Sequence, residues 1–500
     1  MARDNGGIIG PANNPTSSTA SGVWDLPAQY QAISGGNWPP IPSIAENSLR
    51  FNDGSTDYLS RTPASASNRK TWTFSAWVKL ASSFTSDRNI FGAGDDGDNQ
   101  TFIVFQDTQS ILFSYELANV RYLINTSAVF RDVSAWYHIV LGVDTTQATN
   151  TNRVKLYING VQQTFNTVLN GFPPQNADTF VNNTSVHNVG YGSWNSFNPY
   201  DGYMSEVILV DGQQLEPTSF GQFNANGIWT PIPIALSFGT NGFHLKFENS
   251  ASLGLDSSPN GNNFTVNNLT SIDQSTDIPT NNFATLNPLS QGATTTNRAY
   301  SNGNLSVTYN NGDDSSLTTM GVSTGKWYAE FKVTAQPTTA TVGVGNEQST
   351  FVVDPGNCNI GASTGAYGYF STGQKRINGG GLTSYGSSYT TNDIIGIALN
   401  LDIGAIWFSK NGTWQASATI TEIQNGTTTN AAATGLSGTF FLGTSNSASG
   451  TTGVAFDNNF GNPPFTIASG NSDGNGYGNF EYTVPSGYYA LCTKNLAEFG

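Results

Sequence analysis

Charge is scarce in this chain. Only 11% of its 500 residues are Asp, Glu, Lys or Arg, against roughly a quarter in an ordinary globular domain. Asn, Ser, Thr and Gly must therefore solvate the surface, as they do in extracellular β proteins and appendages. The few charges sum to −15 and contain no long basic run. Binding to a phosphate backbone depends on Lys and Arg releasing counterions, so nucleic acid is not an expected partner. Cysteine is nearly absent: Cys358 and Cys492 stand far apart without a CxxC partner, which excludes zinc-ribbon and thioredoxin-type motifs. A chain this long has core enough to fold without staples, so two buried thiols are expected, and a Cys358–Cys492 disulfide is left open. His138, His187 and His244 are the only histidines. Their wide separation excludes a His-x-x-x-His ligand pair and any local triad signature, leaving core or edge roles for all three. No stretch approaches the ~20 apolar residues of a spanning helix, so no membrane insertion is expected. Met1 to Gly10 holds one Arg and no apolar run of signal-peptide length, so no secretion signal is expected either.

What is present is aromatic (12%) and alternating. Five hundred residues exceed one core and predict two large domains. Residues 1–47 carry six prolines among small polar residues, with Ile8, Ile9, Trp24, Leu26 and Trp38 following no helix or strand period. Such an arm cannot bury a core of its own. It is either a linker or, the reading favoured because linkers seldom keep Trp and Ile, an extended docking arm that orders against another protein. From residue 48 to 215 the chain reads as strands and turns. Trp72, Phe74, Ala76 and Val78 alternate with polar neighbours, although Trp77 breaks the pattern, and Val154, Leu156 and Ile158 alternate up to Asn159-Gly160, a strong hairpin signal. Residues 216–299 are punctuated by Pro and Asn but keep Trp229, Phe238, Phe264 and Phe283, which suits a connector packed on the sandwiches rather than a free tether. From residue 300 to 500 strands resume: Trp327, Ala329, Phe331 and Val333 alternate, and Ile406 and Phe408 lead into Asn411-Gly412. No amphipathic helix competes, so the fold class is all-β, two antiparallel β-sandwiches with an extended N-terminal arm.

The ordered pieces Ser48–Gly54 with Asp57-Tyr58-Leu59, Trp72–Lys79, Trp136–Val140, Val154–Gly160 and Tyr200–Val207 resemble the successive landmarks of laminin-G-like, concanavalin-type jelly rolls. Gly325–Glu330, Val342–Gly345, Asn392–Asp402, Phe408–Gly412 and Asn459–Gly461 resemble the strands of a SPRY domain. The first resemblance implies a curved two-sheet sandwich that binds glycans or proteins through loops and concave face. The second implies a recognition sandwich without catalysis. The pairing of the two, with the opening Met1–Gly10 and the ending Tyr489–Leu496, is similar to structural proteins of marine bacteriophages. That resemblance implies a virion location after synthesis in a host cytoplasm, docking to other virion proteins through the arm, host-surface glycans as targets, and a homo-oligomer, by analogy with fibres a trimer. A purely structural capsid or tail decoration protein is the alternative that sequence does not separate.

Jelly rolls of this type also house glucanases, so a depolymerase is the enzymatic rival. Glycoside hydrolysis needs two carboxylates flanking the bond, and no Glu-x-Asp-x-x-Glu run exists here. Glu206 is the nearest acid on a strand and reads as structural, so no enzyme, catalytic residue or cofactor is expected. Asp95, Asp96 and Asp98 form the densest acidic loop, but their spacing does not match the twelve-residue calcium loop and favours a solvated hairpin tip, so no metal is assigned. Sugar binding needs aromatic faces beside fixed polar groups. Two loops supply that mixture and make Trp194, Phe197, Tyr200, Tyr385 and Tyr389 the candidate glycan-binding residues.

Overall fold

The computed structural model describes residue 32 and residues 44–81, 86–192, 199–290, 298–310, 314–336, 339–347, 349, 359–446 and 453–500. The arm residues Ile8, Ile9, Trp24, Leu26 and Trp38, together with Trp194, Phe197 and Cys358, lie outside these described residues.

Two antiparallel sandwiches follow one another. In the first, one sheet runs in the order Val161–Gln162, Val154–Ile158, Trp136–Asp144, Thr71–Leu80, Gly202–Asp211, Ser48–Phe51, Gln274–Ser275. The facing sheet runs Phe165–Leu169, Val120–Thr126, Ile111–Leu117, Asn99–Phe105, Arg88–Asp96, Val186–Val189, Tyr58–Arg61, Thr265–Asn267. Trp72, Phe74, Ala76 and Val78 point between the sheets, as their alternation dictates, and pack on Phe91, Ile103 and Phe113 of the opposite sheet. Asn159 and Gly160 adopt positive φ and close the two-residue turn that returns Val161 onto Ile158.

Residues 216–299 do more than connect. Phe243–Leu245 and Gln274–Ser275 pair into the first sheet and Thr265–Asn267 into the second, so this segment completes the first sandwich. It then bridges onward, Phe283 pairing with Cys492 and Leu286 with Thr318.

The second sandwich sets a sheet centred on Val454–Asn459, Lys326–Ala335, Ile394–Asn400 and Ala405–Lys410 against one built on Phe440–Asn446, Ala340–Asn346 and Ala366–Phe370. Trp327, Ala329, Phe331 and Val333 face its interior. Their neighbours Tyr328 and Glu330 face the other way and are also buried, because Phe480, Tyr488 and Phe283 cover that outer face. The first sandwich repeats the device: Phe220 and Phe238 lie over Val140, Ile208 and Val210 on the outside of its first sheet. A sheet covered on both faces no longer needs polar residues outside. Trp77 therefore breaks the alternation without cost.

Candidate functional site

Trp77, on the outer face of Thr71–Leu80, stacks on His138 with ring centroids 4.6 Å apart, and His138 stacks in turn on Trp229 at 6.0 Å. Trp229 belongs to the short hairpin formed by Gly221–Phe223 and Trp229–Pro231. It lies flat because Gly160 and Gly221 have no side chain: a Cβ on either would come within 2.6 Å of the indole ring. An indole N–H only donates, and that of Trp229 reaches His138 Nδ1 at 2.9 Å. His138 must then be the neutral Nε2–H tautomer, donating to Ser75 Oγ at 2.9 Å. Burial pushes its pKa down to about 3.

Beside this stack, Trp136 Nε1 donates to Asp277 Oδ1 at 3.0 Å. The other Asp277 oxygen accepts from Lys79 Nζ at 2.8 Å, both side chains being essentially inaccessible. Lys79 spends its remaining protons on Asn282 Oδ1 (2.6 Å) and the Phe283 carbonyl (3.2 Å). A buried ion pair of this kind is tolerated because every polar atom has a partner.

The outcome is an open cleft of about 720 Å³ where the first sandwich, the connector and the C-terminal segment meet. Trp77, Trp136 and Trp229, all buried, form its floor, and the exposed Phe223 stands edge-on to Trp229 at 4.9 Å as its one exposed ring among the described residues. Val161 and Ile228 form an exposed apolar rim. Asn159, Asn224, Thr230, Thr280, Asn282 and Thr493 supply amides and hydroxyls. Asn159 uses its Oδ1 to accept the His138 N–H, and Asn224 uses its own to cap the hairpin turn through Asn226 N and Ile228 N. Neither carboxamide nitrogen has an acceptor among the described residues.

The sequence-based assignments fare differently. Tyr200 is fully buried, edge-on to Phe51, and its hydroxyl donates to the Lys79 carbonyl at 3.0 Å, so it has no free face for a sugar. Tyr389 is buried beneath the second sandwich's end, its hydroxyl 2.8 Å from the Tyr369 carbonyl. Tyr385 is half-buried, wedged between Tyr369 and Phe408 with Lys375 Nζ 5.2 Å over its ring. Tyr200 and Tyr389 are therefore core packing, while Tyr385 keeps part of its surface exposed. None of the cleft's aromatics was singled out for binding. Trp229 and the Asn159-Gly160 turn were visible, but nothing in the pattern joins a turn to a tryptophan some seventy residues later.

Glu206 sits at a register break in Gly202–Asp211 with φ +50°, and its Oε2 lies 2.6 Å from His244 Nε2. A 410 Å³ cavity adjoins the pair. The neighbouring Asp256 is committed to the backbone N–H groups of His244, Ser258 and Asn262, and among the described residues lining that cavity Glu206 is the one carboxylate. Asp95, Asp96 and Asp98 are exposed at a hairpin tip, where Asp96 Oδ1 accepts from Asp98 N and Asn99 Nδ2. Among the described residues no group of three His, Cys, Asp or Glu side chains could hold a metal ion.

Fold and cleft together define an all-β tandem-sandwich protein. Its domains can be stated more closely: the family model of the concanavalin A-like lectin/glucanases superfamily, of laminin-G type, matches residues 53–216, and that of the SPRY domain matches residues 326–454. The chain carries both, in that order. Among solved structures it is similar to the SPRY domain of human HERC1 (19% identity over 31% of this chain and 87% of that one, TM-score 0.25). It is also similar to a heptameric SAP-like pentraxin from Limulus polyphemus (13% identity over 35% and 79%, TM-score 0.26).

Proposed function

We propose that the protein is a non-enzymatic glycan-recognition component of a bacteriophage particle, a tail fibre, spike or other appendage that contacts host-surface sugars. The observation that carries the reading is the cleft beside Trp229: the exposed ring of Phe223 and the exposed Val161 and Ile228, over buried tryptophans and with amides and hydroxyls around them, the mixture that sugar rings require. The lectin/glucanase superfamily match supports the same class of ligand. The scarcity of charge suits a particle surface that touches its target only through short-range contacts. In this reading residues 1–47 dock on other virion proteins, and several copies, three by analogy with fibres, add avidity. Binding without cleavage is the expected behaviour, since a glucanase needs a pair of free carboxylates and Glu206 is already bonded to His244.

The direct test incubates full-length protein with bacterial surface polysaccharides and follows both retention and new reducing ends. Retention with no new reducing ends is expected. Release of reducing ends would make the protein a depolymerase, and absence of retention on every polysaccharide would leave decoration of the particle as its role.

A further inference from the structure

We infer that the Trp229 cleft takes an uncharged sugar chain and rejects acidic ones; this deepens, and rests on, the glycan reading above. No Asp, Glu, Lys, Arg or His lines the cleft among the described residues. The two charges beneath it, Lys79 and Asp277, neutralise each other, and all three Lys79 ammonium protons already have acceptors, leaving none for a uronate or sialate. His138, the one group behind the aromatic wall that could become a cation, is held neutral by the Trp229 N–H that occupies its Nδ1. A carboxylate entering here would lose its hydration and gain no counter-charge, which is costly, while the chain's net charge of −15 repels a polyanion at longer range.

The polar groups that do line the cleft suit hydroxyls. The carboxamide nitrogens of Asn159 and Asn224 donate, the Thr280 hydroxyl does both, the Thr230 hydroxyl, which donates to the Gln222 carbonyl at 3.2 Å, accepts, and Phe223 offers an exposed ring face. A volume of about 720 Å³ falls within the roughly 300–1,000 Å³ of pockets that enclose small ligands, enough for a short stretch of a polymer rather than one ring. Because Thr280, Asn282 and Thr493 come from the connector and the C-terminal segment, the occupant touches all three parts of the chain.

The experiment titrates full-length protein calorimetrically with neutral polymers (a β-1,3-glucan, an α-glucan and a mannan) and with acidic ones (alginate and polygalacturonate), each at low and high salt. At least one neutral polymer should bind with an affinity insensitive to salt, and the acidic polymers should not bind. Phe223→Ala, at an exposed position where folding is checked by an unchanged melting temperature, should weaken that binding about tenfold, as loss of a stacking face does, and Phe223→Tyr should restore it. Binding to acidic polymers, alone or equally with neutral ones, overturns the inference and leaves the glycan reading standing. Neutral binding that Phe223→Ala does not change overturns the placement in this cleft. Binding to none of the five overturns the inference and the glycan reading together.

Discussion

His138 and His187 show how little freedom a buried side chain keeps here. The first accepts at Nδ1 from Trp229 and donates from Nε2 to Ser75. The second does the reverse, donating from Nδ1 to the Ser185 carbonyl and accepting at Nε2 from Asn182 N. Each ring is locked in one neutral tautomer, and neither can take a second proton without losing a bond. Gly160 is constrained by its neighbour in the same way. Its φ of +79° and the Trp229 ring 2.5 Å from any added Cβ make Gly160→Ala doubly unfavourable. We expect that variant to cost about 1–3 kcal/mol and to shift tryptophan emission as Trp229 is pushed outward, both read in one urea titration followed by fluorescence. Retained stability with unchanged emission would show that the indole does not lie on the turn. The Asn159-Gly160 turn was legible in the sequence as a hairpin; that its glycine also seats a tryptophan was not, because the partner lies in a different hairpin.

Two buried histidines of the first sandwich and a buried glutamate of the second respond to pH in opposite senses. Burial lowers His138 to about 3 and His187 to about 4, both below the roughly 6.5 of an unfolded chain. Unfolding therefore takes up protons between these values, so the contribution of the two histidines to the first sandwich is complete above about pH 6.5 and is lost as pH falls through 4 and 3. In the second sandwich burial pushes Glu330 up to about 7, against the pull of the Glu481 and Tyr482 N–H groups. Here folding holds the proton, so that contribution is complete below about pH 4.5 and is lost as pH rises through 7. Urea denaturation at a series of pH values should show the first sandwich weakening on acidification. His138→Phe, which stacks but does not titrate, should flatten the slope even though it lowers stability overall. An identical slope in wild type and variant would place the response elsewhere.

Across the whole molecule, the two sandwiches are joined by more than a tether. Tyr203 donates to the Gly303 carbonyl at 3.0 Å, Asn304 Nδ2 to the Ala81 carbonyl, and Ser275 Oγ to Asn462 Oδ1 at 3.1 Å. Asp277 stands among them, holding Lys79 and Trp136 at once. Removing one partner of a buried ion pair strands the other, so Asp277→Ala should cost about 3–5 kcal/mol. It should also split a single calorimetric transition into two, one for each sandwich. A wild type that already melts in two steps would mean that the junction does not couple them. At the other end, deleting residues 1–40 should leave both sandwiches folded and abolish incorporation into particles; truncated protein that assembles at wild-type levels would remove the docking role from the arm.

Local pattern was enough to declare two all-β sandwiches, their order and their hairpins, because strand alternation and Asn-Gly turns depend on residues a few positions apart. It was also enough to make nucleic acid an unexpected partner, since that rests on summed charge. What only the tertiary structure decided is which surfaces are covered. Tyr200 and Tyr389 look like loop aromatics in sequence and are packing in space, while Phe223 and Trp229, read as parts of a connector, line the cleft. Burial is a property of contacts between segments far apart along the chain, and a sheet covered on both faces erases the polar alternation that would have marked its outside.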